Sequence, residues 1–245
     1  MSRSRPSRAV PLTCLLAAGC LAAPDGPSGG GAEEPGGAPD AGGEQSPLPG
    51  DRCAVLLEDT FEGAEVDRSR WSPWLAGSAT VAVDPPGLRL QIEDVFDPLE
   101  AGSFAVIEST FARPIGTTRI TARLDVPVSD GEAGIEWNGG EEDALSLNVA
   151  NGQFWFEHLE GGSWSTPCVE CLAYDPDLHR LWRLRSTGGL VYAEVSADGD
   201  QWTELGRTET PPGDTWRSVV YVVSHDSGEV TALVDAVRWA DCPDA

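Results

Sequence analysis

The sequence predicts an all-β fold, namely a two-sheet antiparallel jelly-roll sandwich. No segment after residue 50 repeats its apolar residues every 3.6 positions between helix-capping residues, which argues against helices. Short runs that alternate apolar and polar residues recur instead, and turn-forming residues separate them. There are roughly a dozen such runs, more than an immunoglobulin-type sandwich requires, so a jelly roll fits better.

The individual strands follow from this alternation. The clearest runs are residues 87–92, 119–126, 144–149 and 153–157. The clearest turns are residues 85–87, 138–140, 151–152, 188–189 and 198–199. Asn-Gly and Asp-Gly pairs in these turns allow the positive φ angles that two-residue hairpins need.

The N-terminus has the pattern of an export signal. Arg3, Arg5 and Arg8 precede an apolar run over residues 9–18, which is too short to span a bilayer. The small residues that lead into Cys20 resemble the lipobox of bacterial lipoproteins. This resemblance implies a signal peptide over residues 1–19, acylation of Cys20 and attachment to a membrane through lipid alone. The alternative is a plain secretory peptide cut at an Ala-x-Ala-like site, and export follows either way.

The chain after Cys20 divides into two parts. Residues 20–50 are rich in Gly and Pro and are expected to form a disordered tether, whereas residues 51–245 can form one domain. The formal net charge of −24 argues against nucleic acid or anionic lipid as a partner and favours neutral or cationic ligands, or divalent cations. The protein is predicted to be a monomer. Its predicted location is the outer membrane or cell surface, because Leu21 stands where an Asp would indicate retention at the inner membrane.

Several motifs connect this domain to a known fold family. Residues 57–71 resemble the first strand of concanavalin A-like, laminarinase-type jelly rolls, with an acidic pair, a Phe, a turn and a Trp. Residues 179–185 and 191–202 resemble the rear half of LamG-like domains, and residues 233–238 resemble their final strand. The resemblance covers most of residues 55–240 and implies the fold more firmly than any ligand.

Four cysteines remain in the exported domain, an even number that indicates disulfides. The fold family commonly has its terminal strands side by side, which implies a Cys53–Cys242 bridge. Cys168 and Cys171 would then form a local disulfide. A redox or zinc site is the alternative, but no helical pattern follows Cys171 and only His179 lies near as a further ligand.

A candidate ligand-binding face follows from the alternation of three consecutive strands. If these strands pair as hairpins, one concave face presents five side chains, with Trp164 in a nearby Gly/Ser loop. The five are Glu136, Ser146, Asn148, Trp155 and Glu157. An aromatic ring among hydrogen-bonding groups is suited to a sugar. The alternative is a solvated sheet face with one partly covered Trp.

The sequence favours binding over catalysis. Hydrolytic relatives of this fold carry a Glu-x-Asp-x-x-Glu run on one strand, and no such run is present. No catalytic residue is therefore predicted, and the leading hypothesis is non-catalytic recognition of a neutral glycan. The alternatives are a glycoside hydrolase or lyase that uses Glu136 and Glu157, or an adhesion or structural module that binds a cell-surface protein.

A structural calcium ion is the one cofactor that the resemblance implies. Related jelly rolls often hold a structural Ca²⁺ between the first and last strands, and Glu58, Asp59 and Asp235 stand at matching positions. The alternative is that these residues are ordinary surface acids.

Overall fold

The computed structural model describes residues 53–85, 87–93, 102–129, 131–168, 171–213, 215–224 and 229–242. The predicted signal peptide, Cys20 and the tether lie outside the described residues, so they remain predictions. In the described part, no helix is long and apolar enough to cross a membrane.

Fifteen strands make up the described domain, which confirms the all-β prediction. They are β1 (Ala54–Asp59), β2 (Trp71–Ala76), β3 (Ala79–Asp84), β4 (Gly87–Ile92), β5 (Ser103–Ser109), β6 (Thr118–Ser129), β7 (Glu132–Asn138), β8 (Ala144–Ala150), β9 (Gln153–Glu160), β10 (Ser163–Cys168), β11 (Leu181–Thr187), β12 (Leu190–Ser196), β13 (Thr203–Glu209), β14 (Arg217–Ser224) and β15 (Val230–Asp241).

The strands form two antiparallel sheets. The sheet that we call the front sheet has the order β10-β9-β8-β7-β14-β5-β2. The back sheet has the order β13-β12-β11-β6-β15-β4-β3. Strand β1 pairs with the C-terminal half of β15. Two stacked antiparallel sheets of this kind are a jelly-roll sandwich, as the sequence predicts.

The core lies between the two sheets. Alternation along each strand sends one set of side chains inward, including Trp137, Phe154, Trp182 and Trp239, each with 0% of its surface exposed. Such aromatic side chains each bury about 150–250 Å² of surface and dominate the stability of the sandwich. The opposite set of side chains forms the outer face of each sheet.

Turn chemistry sets the register of the hairpins. Asn151 and Gly152 have φ values of 52° and 69° and connect β8 to β9, as expected for a two-residue turn with two positive φ angles. This turn places Asn148 opposite Trp155 and Ser146 opposite Glu157. The sequence of one turn therefore aligns four candidate site residues.

Both predicted disulfides are present. Pairing of β1 with β15 brings Cys53 and Cys242 together with a Cα–Cα distance of 4.4 Å. Cys168 and Cys171 form the local bridge after β10. The redox and zinc alternatives for these cysteines are therefore not needed.

Candidate functional site

The outer face of the front sheet collects the candidate residues. In β7, Ala133, Ile135 and Trp137 belong to the core, so alternation turns Glu132, Gly134 and Glu136 to the outer face. Strand pairing then decides which side chains of the neighbouring strands lie beside them.

One row across this face carries three carboxylates. Glu136 pairs with Ser146 of β8, which pairs with Glu157 of β9. In the other direction, Glu136 pairs with Val219 of β14, which pairs with Glu108 of β5. Each glutamate is two strands from the next, so their Cα atoms are about 10 Å apart. We call Glu108, Glu136 and Glu157 the carboxylate row.

The adjacent row contains the aromatic and amide groups. It runs through Trp155, Asn148, Gly134 and Tyr221. A Cβ atom on Gly134 would lie 2.7 Å from the backbone oxygen of Leu147 and 3.0 Å from the Tyr221 hydroxyl oxygen. Only glycine therefore lets the Tyr221 side chain approach the strand so closely.

The centre of this face is shielded from water. The exposed fraction is 1% for Glu136 and Asn148 and 2% for Ser146. A small apolar cluster lies beside them on the same face, formed by Phe104, Val106, Val219, Tyr221 and Val223. A carboxyl group placed here loses most of its hydration.

This burial changes the protonation of Glu136. Burial raises the pKa of the Glu136 carboxyl, and the negative charges of Glu108 and Glu157 act in the same direction, so that together they raise it to about 8. Burial also raises the pKa of Glu108, although Arg217 acts in the opposite direction. Glu136 is therefore mostly protonated at neutral pH and has a proton to donate.

Hydrogen bonds hold the neighbours of Glu136 in place. The Asn148 amide Nδ2 donates to the Glu157 carboxylate Oε2 at 3.0 Å, and Asn148 Nδ2 also lies 3.4 Å from Ser146 Oγ. Ser146 Oγ and the Tyr221 hydroxyl are 2.6 Å apart. The Asn148 amide therefore holds the Glu157 carboxyl in place within the carboxylate row.

The tryptophans are distributed across the same face. Trp155 is half-buried in the row next to the carboxylates. Trp164 lies on the edge strand β10, opposite Leu159, with 37% of its surface exposed. It therefore stands at one edge of the sheet, and Trp74 on β2 stands at the other edge, also 37% exposed.

The three predicted calcium ligands are not grouped together in the described residues, and calcium binding stays a prediction. Both oxygens of the Asp59 carboxylate accept hydrogen bonds, one from the Phe61 backbone N–H and one from the Trp71 indole N–H. Glu58 neighbours Asp59 on β1 and so points to the opposite face, where it lies opposite Arg238. Across the described ranges, no group of three or more His, Cys, Asp or Glu side chains could hold a metal ion, and Asp235 joins none.

The sequence-based site omitted three residues of this face. Glu108 and Tyr221 each interrupt an apolar run within a strand, a signal that can mark a polar group on a buried face. Glu132 shares the face of Glu136, four residues away on β7. Pairing of β5 and β7 with β14 brings these residues together, and no local pattern indicates that pairing.

Comparison with known proteins supports the fold. No protein family matches the sequence, and no curated protein matches it. Among solved structures, a β-1,3-glucanase from Mycobacterium marinum has a TM-score of 0.59 at 16% identity, covering 77% of this chain and 100% of that one. An endo-acting O-glycanase of the human gut microbiota has a TM-score of 0.59 at 15% identity, covering 78% and 100%.

A third similar structure is an immunostimulatory antigen of Mycobacterium tuberculosis that is a pseudo β-1,3-glucanase. It has a TM-score of 0.57 at 17% identity and covers 78% of this chain and 100% of that one. These similarities establish the laminarinase-type jelly-roll fold.

The prediction of a non-catalytic recognition domain is wrong as the leading hypothesis. The similar solved structures include glycan-cleaving enzymes, which favours the hydrolase alternative. The missing Glu-x-Asp-x-x-Glu run is also weaker evidence against catalysis than the sequence suggests. Carboxylates from three different strands, β5, β7 and β9, lie on one face of the sheet.

Proposed function

We propose that this protein is a glycoside hydrolase whose active site is the outer face of the front sheet, with Glu136 as the general acid. One observation carries the proposal: a buried glutamate whose pKa is raised to about 8 lies between two further glutamates. Glycoside hydrolysis needs two carboxyl groups, one protonated and one ionised, with different environments.

We assign these two roles to Glu136 and Glu157. Glu136 holds a proton near neutral pH and donates it to the glycosidic oxygen as the bond to the leaving sugar breaks. Glu157, which accepts the hydrogen bond from Asn148, takes a proton from a water molecule while the oxygen of that water forms the new bond to the anomeric carbon. Glu108 contributes by raising the pKa of Glu136.

The substrate is a neutral glycan. Four glutamates, at positions 108, 132, 136 and 157, share the face, and the chain carries a net charge of −24, so an acidic polysaccharide would be repelled. Trp155 supplies a ring for stacking on the C–H face of a sugar, while Asn148 and Ser146 supply hydrogen bonds.

The test is hydrolysis of neutral polysaccharides by the full chain, followed as released reducing ends. Glu136→Gln and Glu157→Gln are each expected to reduce the rate at least about a hundredfold, the usual contribution of an acid–base group. Glu204→Gln, on the back sheet with a 45% exposed side chain, is the matched control and should keep full activity.

Two results would contradict this assignment. If no neutral polysaccharide is cleaved while the protein remains folded, then the hydrolase proposal fails. If Glu132→Gln abolishes activity and Glu157→Gln does not, then the partner of Glu136 lies along β7 and the role given to Glu157 is wrong.

We also propose that the protein is exported and anchored to the membrane by lipid on Cys20. Support comes from the basic residues, the short apolar run and the small residues before Cys20. Expression of the full chain with labelled palmitate should give a labelled, membrane-bound protein, and Cys20→Ser should lose both properties. Secretion of the wild type without label would favour the plain secretory alternative.

A further inference from the structure

A continuous series of hydrogen bonds crosses the outer face of the front sheet and ends at Glu157. The Tyr221 hydroxyl oxygen lies 2.6 Å from Ser146 Oγ. The Asn148 amide Nδ2 lies 3.4 Å from Ser146 Oγ and donates to Glu157 Oε2 at 3.0 Å. Side chains from β14, β8 and β9 therefore form one hydrogen-bonded group, which we call the Tyr221 network.

Tyr221 reaches this network by crossing a strand. Tyr221 is on β14 and Ser146 is on β8, and β7 lies between these two strands. Tyr221 pairs with Gly134 of β7, where an added Cβ atom would lie 3.0 Å from the Tyr221 hydroxyl oxygen. The glycine therefore leaves the space in which the tyrosine side chain passes over β7 to Ser146.

The Tyr221 hydroxyl keeps its proton. Tyr221 is buried, and this burial raises its pKa well above the usual value. The negative charges of Glu132, Glu136 and Glu157 act in the same direction, whereas the hydrogen bond with Ser146 acts in the opposite one. Because the hydroxyl is neutral, it contributes to the network by holding its neighbours in position and not by its charge.

The orientation of the Asn148 amide depends on this network. Asn148 is buried, and its Oδ1 makes no hydrogen bond within the described residues. Only the contacts of Nδ2, with Ser146 and Glu157, therefore fix the direction of the amide. Loss of the Ser146 contact would leave the amide held by Glu157 alone, and the Glu157 carboxylate would in turn be held less firmly.

We propose that Tyr221 is a positioning residue that holds Glu157 in place for the proposed hydrolysis. It acts through Ser146, which fixes the Asn148 amide, which in turn fixes the carboxylate that takes a proton from water. This inference rests on the proposed function, because it takes Glu157 to be the base. A misplacement of a catalytic group by about 1 Å can lower a rate about a hundredfold, so such a positioning residue matters for the reaction.

The first test follows the Asn148 side chain without any substrate, by NMR of the full chain labelled with the NMR-active isotope of nitrogen. The side-chain NH₂ signals of Asn148 are assigned by their loss in Asn148→Asp. Tyr221→Phe keeps the ring and removes the hydroxyl, and it should shift these signals. Tyr192→Phe, on β12 of the back sheet, is the matched control and should leave them in place. Unchanged Asn148 signals in Tyr221→Phe would overturn the inference.

The second test is kinetic and uses laminarin and xyloglucan as neutral polysaccharide probes. Tyr221→Phe should lower kcat about tenfold or more and change KM by less than about twofold, because the hydroxyl acts on the base and not on the substrate. In the Glu157→Gln background, which lacks the base, Tyr221→Phe should lower kcat no further. A merely structural hydroxyl would instead lower kcat by the same factor in both backgrounds. Tyr192→Phe should keep the wild-type kcat.

Ser146→Ala breaks the same network at the next residue and should also shift the Asn148 signals and lower kcat, so it replaces Tyr221→Phe if that variant does not fold. Equal losses of kcat in the wild-type and Glu157→Gln backgrounds would overturn the inference. An active wild type with an unaffected Tyr221→Phe variant would overturn this inference alone. If the wild type cleaves no neutral polysaccharide, then the proposed function fails and the role of Tyr221 in hydrolysis fails with it.

Discussion

The Glu136 carboxyl group is buried, so its ionisation destabilises the folded protein. Its pKa is raised from 4.5 to about 8 in the folded protein, so its contribution to stability is complete below pH 4.5 and is lost as the pH rises towards 8. Glu136→Gln removes the ionisable group while keeping the size of the side chain. We expect the variant to gain stability over wild type between pH 5 and pH 8, by a few kcal/mol at most.

Chemical denaturation of both proteins at several pH values measures this gain. The difference in unfolding free energy between Glu136→Gln and wild type should grow as the pH rises from 5 to 8. Glu204→Gln, which changes an exposed carboxylate on the back sheet, should show no such trend. A difference independent of pH would mean that Glu136 ionises as readily in the folded chain as in the unfolded chain.

The same residue sets the alkaline limit of the proposed activity. A general acid works only while it is protonated, so the rate of hydrolysis should fall as the pH rises through about 8. Glu108→Gln removes one of the negative charges that raise the pKa of Glu136, and it should move this limit to lower pH. An alkaline limit that stays in place in Glu108→Gln would contradict the assigned cause. The pH profile of kcat/KM for the two proteins provides the measurement.

At the scale of the strand, Gly134 allows strand β8 and the Tyr221 side chain to approach the backbone of β7 closely. An added Cβ would lie 2.7 Å from the Leu147 backbone oxygen, 2.9 Å from the Asn148 Cβ and 3.0 Å from the Tyr221 hydroxyl oxygen. Because β7 is central in the front sheet, the backbone oxygen cannot easily move away. Gly134→Ala should therefore cost about 1–3 kcal/mol of stability and displace Tyr221 from Ser146.

Thermal unfolding checks this expectation, with a lowering of Tm by about 2–12 °C. Gly116→Ala is the matched control, because a Cβ there would meet no atom within 4 Å and its stability should change little. If both substitutions are equally tolerated, then the approach of Tyr221 to β7 does not depend on glycine.

The arrangement of strands decides which site residues can be predicted from the sequence. Glu136, Ser146, Asn148, Trp155 and Glu157 lie on three consecutive strands joined by hairpins, so alternation and turn residues suffice to place them on one face. Glu108 and Tyr221 reach that face through pairing of β14 with β5 and β7, which are far apart in the sequence. Local patterns cannot identify such partners, and they cannot indicate that the face is buried.

Burial of that face gives Glu136 a chemistry that alternation alone does not indicate. Alternation alone leaves Glu136 as a polar residue on an outer face, where a hydrated carboxylate needs no explanation. In the folded molecule Glu136 is 1% exposed beside the apolar cluster that includes Val219 and Val223. This apolar surrounding comes from β5 and β14, so the chemistry of the carboxyl group is a property of the assembled sheet.

A covalent link joins Cys53 and Cys242, the first and last residues that the structure describes. Cys53 and Cys242 are 189 residues apart, and the strand next to Cys53, β1, pairs with the C-terminal half of β15. Closing so long a loop reduces the entropy of the unfolded chain and should contribute about 5 kcal/mol, whereas the Cys168–Cys171 bridge, with a separation of 3, should contribute about 2 kcal/mol. The Cys53→Ser/Cys242→Ser double variant should therefore lose more stability than the Cys168→Ser/Cys171→Ser double variant.

Denaturant unfolding of the two double variants measures this difference, and amide hydrogen exchange shows where the loss falls. In Cys53→Ser/Cys242→Ser the amides of β1 should exchange faster than those of β7, because β1 has a single partner strand and adds only a few core residues such as Leu57. The front sheet should keep its protection and the proposed hydrolytic activity should survive at low temperature. Equal losses in the two double variants would show that the long covalent link does not stabilise this domain through chain entropy, and that pairing of β1 with β15 closes the sandwich without it.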